Sequence, residues 1–198
     1  MEVKSNPSYV CGETGQPLVY RTIGDTFDLA VDRWGEREAI VVRHQGIRWT
    51  WRQLGEAIDA FAGGLTGLDL QPGDRVGIWS PNNIEWIIAQ FATAKAGLVL
   101  VNINPACRKA ELVHTLEKVG CKALLFAAKF KSSDYVKMLH DIAPGIPNGL
   151  PGKLELPELP ELRTLVVIGD RAEPGMYRFD EIQSLAPPNA FEKLQRRA

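Results

Sequence analysis

Cysteine is scarce in this sequence, and no two cysteines stand close together. The 198 residues contain three of them, Cys11, Cys107 and Cys121, and none belongs to a C-x-x-C pair. An odd number at wide spacing argues against a disulfide framework and against a zinc-finger site. The composition fits a reducing compartment, and the sequence therefore predicts a cytoplasmic protein.

The chain also lacks an excess of charge and a long apolar run. Its net charge is −1 with no basic block, which argues against nucleic acid or an anionic membrane as a general partner. The longest apolar stretch, residues 86–101, is interrupted by Gln90, Lys95 and Gly97 and is too polar to span a bilayer. Residues 1–10 have no apolar core of a secretory signal. An ordinary globular protein with a buried core is expected.

Fingerprints of nucleotide binding and of serine hydrolases are missing as well. The sequence has no G-x-G-x-x-G, no G-x-x-x-x-G-K-[ST] and no G-x-S-x-G. The glycine cluster at residues 63–67 has no lysine and is typical of the end of a helix. The three histidines, His44, His114 and His140, lack H-x-x-x-H spacing. We therefore predict no catalytic, cofactor-binding or metal-binding residue in this chain.

The first third of the chain carries helix and hairpin signals. The pattern predicts a helix at residues 22–35, capped by Asp25. It also predicts a hairpin whose strands are residues 39–42 and 48–51. Residues 50–53, Thr-Trp-Arg-Gln, have the spacing of a capping box, so a second helix is expected to begin there. Its buried face is predicted to carry Leu54, Ile58, Phe61 and Leu65.

From residue 75 short apolar runs alternate with amphipathic helices. Such alternation is typical of parallel strands joined by crossover helices. The predicted strands are residues 75–80, 97–103, 121–127 and 165–169. The predicted helices are residues 84–96, 108–119 and 134–143. The fold class is therefore α/β, a partial doubly wound, mostly parallel sheet with flanking helices, preceded by a helix and a small β-hairpin.

Proline interrupts the chain at residues 144–162, where five prolines and the near-repeat Leu-Pro-Glu-Leu-Pro-Glu-Leu occur. We interpret this segment as a proline-rich surface connection within one domain, because another strand follows, and its glutamates as solvating charges. A last helix is predicted after Asn189, with Glu192 at its third position. A helix that begins so near Ala198 suggests a sequence cut short.

Two turns at strand ends are candidates for a ligand site, since ligands of open α/β sheets lie beyond the carboxyl ends of the strands. The turn at residues 80–83 is more simply explained by Ser80 or Asn82 capping the next helix. The turn at residues 102–108 is interpreted as a joint, in which Pro105 stops the strand. Arg108 is then expected to pair with Glu111 one turn into the next helix.

Two further sets of side chains invite a functional reading. His140 stands beside Asp141 and could form an acid/base pair with it, but exposed charge on a helix is the simpler interpretation. The tryptophans at strand and helix positions are interpreted as packing residues rather than a base-stacking surface: Trp49, Trp51, Trp79 and Trp86.

A family resemblance is strongest between residues 73 and 112. The segments Gly-Ile-Trp-Ser-Pro-Asn-Asn-Ile-Glu-Trp (residues 77–86) and Val-Asn-Ile-Asn-Pro (residues 101–105) resemble the N-terminal part of AMP-forming fatty acyl-CoA synthetases. These enzymes belong to the adenylate-forming superfamily, with luciferases and peptide-synthetase adenylation domains. The resemblance identifies residues 1–198 as the N-terminal portion of an AMP-binding domain. Two residues depart from the family pattern. Cys107 stands where the family has an aromatic residue, and Trp51 stands where tyrosine is more usual.

The resemblance implies a two-step reaction that uses ATP, Mg²⁺ and coenzyme A. A fatty acid carboxylate attacks the α-phosphate of ATP to give an acyl-adenylate and diphosphate, and the thiol of coenzyme A then displaces AMP. The family's phosphate loop, Mg²⁺-binding segment, ribose-binding aspartate and catalytic lysine are not in this sequence. We expect this segment to bind no cofactor alone and to need the rest of its own chain. The turn at residues 102–108 remains a lesser candidate for the coenzyme A or acyl entrance.

Two hypotheses follow. The first is an N-terminal segment of an acyl-CoA ligase that is inactive alone. The second is a short noncatalytic binding or interaction module that keeps the fold. A segment of a larger sheet should expose an unpaired edge and tend to aggregate, whereas an evolved module should be monodisperse.

Overall fold

The computed structural model describes residues 12, 15 and 18–197. The predictions for residues 1–10 and for Cys11 lie outside these residues. The first described elements are a helix, a two-stranded antiparallel hairpin and a second helix, namely α1 (Ile23–Trp34), β1 (Glu38–Val42), β2 (Ile47–Thr50) and α2 (Trp51–Leu65). The predicted helices and hairpin are confirmed, with small shifts at their ends.

The predicted cap of α1 is wrong. Thr22 is the N-cap, because its hydroxyl accepts a hydrogen bond from the Asp25 amide at 3.0 Å. Asp25 lies in the first turn, where its negative charge complements the helix dipole. At α2 the capping box is confirmed: Thr50 Oγ1 accepts from the Gln53 amide at 3.3 Å, and Gln53 Oε1 accepts from the Thr50 amide at 3.0 Å.

A parallel sheet of five strands forms the centre of the molecule. The remaining strands are β3 (Arg75–Trp79), β4 (Val99–Asn102), β5 (Cys121–Ala127), β6 (Lys129–Phe130), β7 (Ser133–Asp134), β8 (Thr164–Ile168) and β9 (Tyr177–Arg178). The sheet order is β4-β3-β5-β8-β9, and β6 pairs with β7 in a separate small hairpin. The remaining helices are α3 (Ile84–Lys95), α4 (Lys109–Val119), α5 (Tyr135–Ile142) and α6 (Ala190–Arg197). The predicted doubly wound α/β architecture is confirmed.

The sheet separates two apolar clusters, because successive side chains of a strand point to opposite faces. On β5, Ala123 and Leu125 join the cluster that α2 and α3 cover. Leu124 and Phe126 join the other cluster, which α4 and α5 cover. All four side chains are almost completely buried. The near-continuous apolar sequence of β5 follows from burial on both faces.

Helix α2 comes unusually close to the 3-10 segment Phe179–Leu185. A Cβ atom built on Gly64 would lie 2.0 Å from the Ile182 carbonyl oxygen, and one on Gly67 would lie 2.0 Å from that of Leu185. The glycine cluster therefore marks the end of the helix, as predicted, and also allows backbone to pack on backbone.

The prediction of a surface connection at residues 144–162 needs correction. The segment has little regular structure beyond the 3-10 turn Ile146–Asn148, but its apolar side chains are core residues. Ile146, Leu154, Leu156, Leu159 and Leu162 are all at most 4% exposed, whereas Glu155, Glu158 and Glu161 face solvent. The Leu-Pro-Glu repeat therefore places leucines inward and charges outward while its prolines prevent a helix.

An ion-pair centre with a buried lysine and two exposed carboxylates joins the first three helices. Lys95 on α3 is 9% exposed, and its ammonium donates hydrogen bonds to Asp28 on α1 and Asp59 on α2. Burial alone would lower the pKa of Lys95, but the two carboxylates outweigh it and raise the pKa above its usual value. The lysine that interrupts the apolar stretch at residues 86–101 thus serves to fix α1 and α2.

Within residues 18–197, every helix is too short or too polar to cross a lipid bilayer.

Candidate functional site

The two candidate turns meet at the carboxyl end of the sheet. β3 and β4 are parallel neighbours, so the segments that leave them lie side by side. Between these segments is a cleft of about 540 Å³, which we call the strand-end cleft. It is lined by Ser80, Pro81, Asn82, Trp86, Asn102, Ile103, Asn104, Pro105 and Phe130. Sequence reasoning proposed the two turns separately, and the structure brings them into one site.

The first turn is held by side chains that cap α3. Asn83, rather than the predicted Ser80 or Asn82, is the N-cap, and its Oδ1 accepts from the Trp86 amide at 2.9 Å. Gln45, at the tip of the β1–β2 hairpin, accepts from the Ile84 amide at 2.7 Å. These bonds use two amides that could otherwise have bound an anion at the helix start.

Ser80 takes part in the same hydrogen-bond network. Its hydroxyl donates to the Pro81 carbonyl at 2.9 Å and accepts from Asn83 Nδ2 at 2.9 Å. A serine nucleophile needs a base within hydrogen-bond reach, and the partners of Ser80 are a carbonyl and an amide. Ser80 is therefore a structural residue that fixes the turn.

The second turn is tied to the segment that follows β5. Asn104 Oδ1 accepts from the Ala106 amide at 2.8 Å, which forms the turn predicted to end the strand. The Tyr135 hydroxyl donates to the Pro105 carbonyl, and the ring of Tyr135 stacks on Trp79 with centroids 3.5 Å apart. Burial raises the pKa of Tyr135 to about 12, so the phenol keeps its proton at neutral pH.

The predicted pairing of Arg108 with Glu111 takes a different form. Glu111 Oε2 accepts from the backbone amide of Arg108 at 2.9 Å, as in the second half of a capping box. The guanidinium of Arg108 instead donates to Ser133 Oγ at 2.7 Å. The joint at residues 102–108 is thereby anchored to both the start of α4 and the β6–β7 hairpin.

The cleft presents neutral amides and aromatic rings. Asn82, Asn102 and Asn104 are exposed, and Trp86 and Phe130 are half-buried. Among the hydrogen bonds within residues 18–197, the side chains of Asn82 and Asn102 form none, so their amides are available to a ligand. This arrangement can bind and orient a polar molecule.

The other candidates for chemistry are placed apart from the cleft or are paired. Asp141 lies between Lys109 and Lys137, at 2.6 Å and 2.9 Å, and these ammonium groups lower its pKa to about 2. Asp134 caps α5 by accepting from the Lys137 amide. Within residues 18–197 no hydrogen bond joins Asp141 to His140. The exposed-charge interpretation fits Asp141, whereas His140 is half-buried and its Nε2 is buried.

The two cysteines that the structure describes are poor nucleophiles. Burial raises the pKa of Cys107, and the nearby Glu111 carboxylate raises it further. Cys121 is 1% exposed, and burial raises its pKa to about 11. A thiolate is the reactive form, so neither side chain is activated at neutral pH.

The raised pKa of Cys121 predicts a measurable pH dependence of stability. The folded thiol titrates near 11, whereas the unfolded one titrates near 9, so stability is complete below pH 9 and is lost as the pH rises toward 11. Cys121→Ala removes this contribution, and the wild type should lose about 2 kcal/mol more than the variant between pH 8 and 11. Urea unfolding at each pH measures the difference. Parallel pH curves for the two proteins would contradict the prediction.

Comparisons with known proteins agree with this architecture. The family model described as AMP-binding enzyme matches residues 27–179, which is most of the chain. The chain belongs to the AMP-binding enzyme family. It is 43% identical over 175 residues to the medium-chain acyl-CoA ligase ACSF2, mitochondrial, of Homo sapiens, and these residues are 88% of this chain and 28% of that protein. The chain thus spans little more than a quarter of that relative.

Two further comparisons extend the likeness. The putative acyl-CoA synthetase YngI of Bacillus subtilis is 32% identical over 180 residues, which are 91% of this chain and 33% of that protein. The crystal structure of the anthranilate CoA ligase AuaEII in complex with anthranoyl-AMP aligns with a TM-score of 0.70 and 22% identity. That alignment covers 87% of this chain and 29% of the ligase chain, and it shows a shared fold. Because the human relative is named as mitochondrial, the cytoplasmic location stays a prediction.

The AMP-binding enzyme family implies a Mg²⁺ ion. Hard cations such as Mg²⁺ take oxygen ligands, chiefly carboxylates and substrate phosphates. Within the described part of the chain, no three His, Cys, Asp or Glu side chains converge on a point that could hold a metal ion. The described residues therefore offer no Mg²⁺ site made of three such protein ligands.

Proposed function

We propose that this chain is the N-terminal segment of an AMP-forming acyl-CoA ligase whose substrate is a medium-chain fatty acid. The observation that carries the proposal is the 43% identity over 175 residues to a medium-chain acyl-CoA ligase. The reaction joins a fatty acid to coenzyme A and converts ATP to AMP and diphosphate. A carboxylate oxygen forms the bond to the α-phosphorus as diphosphate leaves, and the sulfur of coenzyme A then takes the acyl group as AMP leaves.

In this proposal the chain contributes structure and binding rather than bond making. Transfer at phosphorus depends on charge placed around the transferring group. The glycine-rich phosphate loop of the family is absent from this sequence, and no three His, Cys, Asp or Glu side chains of the described residues converge on a possible metal site. We infer that residues 1–198 alone do not form acyl-adenylate and that the remainder of a complete ligase supplies those groups. ATP, Mg²⁺ and coenzyme A are cofactors and substrates of that complete enzyme.

We assign the strand-end cleft to the entrance for coenzyme A or the acyl group. Its asparagine amides can donate to and accept from a polar ligand, and Trp86 and Phe130 offer apolar faces. Lys129 and Lys131 flank Phe130 and are exposed, so they add positive charge beside the cleft. A ligand with phosphates and amide groups, such as coenzyme A, fits these side chains.

The competing function is a noncatalytic binding module that keeps the fold. The specific observation in its favour is that α6 is bonded to the loop after α2 through Lys193 and Arg197. The feature in favour of a ligase segment is the edge strand β4, which pairs only with β3 among the described residues. Sedimentation separates the two functions, since an evolved module should stay monodisperse at high concentration.

The deciding experiment measures acyl-adenylate formation. Purified 1–198 is incubated with Mg·ATP, labelled diphosphate and octanoate, and exchange of label into ATP is followed. We expect no exchange above the blank. A second protein, in which residues 27–179 replace the matched segment of the human ligase, should form AMP only when octanoate and coenzyme A are present.

The two assays test different parts of the proposal. Exchange by 1–198 alone would contradict its proposed inactivity. A replacement protein that folds, as judged by circular dichroism, yet makes no AMP with any fatty acid would contradict the ligase assignment. The human ligase itself is the positive control, assayed at the same concentration.

A further inference from the structure

A second, larger recess lies away from the strand-end cleft, between α1, α2 and α6. It has a volume of about 710 Å³, and we call it the acidic groove. It is lined by Gly24, Asp25, Asp28, Val31, Asp32, Asp59, Ala60, Gly63, Lys95, Gln183, Ala186, Ala190, Phe191, Leu194 and Gln195. Cavities of this size commonly accept ligands or partner side chains.

One side of the groove is acidic. Asp25, Asp28 and Asp32 follow one another at helical spacing on α1, so they share one face, and Asp59 adds a fourth carboxylate from α2. Lys95 is the single cation in the lining, and it is engaged with Asp28 and Asp59. Asp25 and Asp32 form no ion pair with any residue between 18 and 197. The groove therefore keeps an uncompensated negative charge.

The opposite side of the groove is apolar. Phe191 and Leu194 are three residues apart on α6, and Phe191 is 71% exposed although it is a large hydrophobic side chain. α6 is held in place by hydrogen bonds from Lys193 Nζ to the Thr66 carbonyl and from Arg197 Nη2 to the Leu70 carbonyl. The apolar side of the groove is consequently preorganised. An exposed apolar surface beside polar residues marks an interaction site.

We propose that the acidic groove is a docking surface for a basic, amphipathic helical segment of a partner protein. Charge complementarity identifies this occupant: Lys or Arg side chains would meet Asp25 and Asp32, and an apolar face would cover Phe191, Leu194 and Val31. A neutral apolar segment would leave the two carboxylates desolvated without a partner, and an acidic one would be repelled. The proposal does not depend on the ligase activity, because the groove shares no residue with the strand-end cleft.

The test uses a fluorescent probe peptide of leucine and lysine in helical register, about four turns long. Its binding to 1–198 is followed by anisotropy, beside a matched peptide with glutamate in place of lysine. Two double variants remove the same net charge: Asp25→Asn with Asp32→Asn in the groove, and Glu155→Gln with Glu158→Gln on the proline-rich segment. The groove variant should bind the lysine peptide about tenfold more weakly, and the control should change by less than about twofold.

Apolar contact is tested separately. Phe191→Ala should weaken binding of the lysine peptide about fivefold or more, because a large exposed aromatic side chain is a typical anchor. The replaced side chains are all exposed, so thermal unfolding of the variants should stay close to that of the wild type, with the groove variant losing at most about 1 kcal/mol because Asp25→Asn removes a favourable charge from the first turn of α1. Raising the salt concentration should weaken binding to the wild type and have less effect on the groove variant.

Three results would overturn the proposal. Equal weakening by the two double variants would indicate nonspecific attraction to net charge. Equal affinity for the glutamate peptide would remove the argument from charge. A concentration-dependent dimer of 1–198 that Phe191→Ala dissociates would show that a second copy of this chain fills the groove instead.

Discussion

Gly64→Ala should destabilise the protein by about 3 kcal/mol or more, at the upper end of what added volume in a packed core costs. The new methyl group would lie 2.0 Å from the Ile182 carbonyl oxygen and 3.0 Å from the Gln183 Cα. The obstacle is backbone rather than the end of a flexible side chain, so relief requires α2 and the segment Phe179–Leu185 to move apart. Urea unfolding followed by circular dichroism measures the loss.

The adjacent glycine is a matched control. A Cβ on Gly63 would lie 3.6 Å from that of Ala186, which is an ordinary van der Waals distance. Gly63→Ala should therefore be neutral or stabilising by up to about 1 kcal/mol, because alanine favours the helix. Equal effects at the two positions would show that helix propensity, and not the close approach at Gly64, decides stability.

Tyr135→Ala should cost about 3–5 kcal/mol, in the range of other large aromatic truncations in cores. Tyr135 is fully buried, its ring stacks on Trp79, and its hydroxyl bonds the Pro105 carbonyl. The truncation leaves a cavity beside Trp79 and also releases the turn that lines the strand-end cleft. The loss is measured by urea unfolding at pH 7.

Tyr135→Phe separates the hydroxyl from the ring. It keeps the stacking and removes one hydrogen bond, so it should cost about 1–2 kcal/mol. Exchange of the Ala106 and Cys107 amide hydrogens should speed up in this variant, because the Pro105 turn loses an anchor. Unchanged exchange at these amides would mean that Asn104 and Pro105 hold the turn without the tyrosine.

Much of the fold could be predicted because its signals are local. β5 is predicted at residues 121–127 and lies there, since both faces of this strand are buried and six of its seven residues are apolar, Lys122 being the exception. The Thr50–Gln53 box was found because both of its partners stand three residues apart. The caps at Thr22 and Asn83 were missed, because several neighbouring residues could cap and only the backbone path selects one.

The site required information that no local pattern holds. Asn82 and Asn104 share a cleft only because β3 pairs with β4, and Phe130 joins them from a third connection. The burial of the leucines in residues 144–162 is not evident from the sequence, because five prolines break any helical or strand periodicity there. Lys95 looked like an interruption in an apolar run, and its partners Asp28 and Asp59 lie on two other helices.

The contact between the hairpin tip and α3 restricts how the chain can vary. Gln45 accepts from the Ile84 amide and donates to Glu85, so a turn at residues 43–46 completes a helix that begins almost forty positions later. Hairpin loops usually tolerate insertions, because their ends stay paired whatever their length. Here an inserted residue would withdraw the Gln45 amide from α3 and leave the Asn82–Asn83 turn without one of its supports. The length of this small surface loop is therefore restricted by the strand-end cleft, although the loop does not line the cleft and only supports the turn that does.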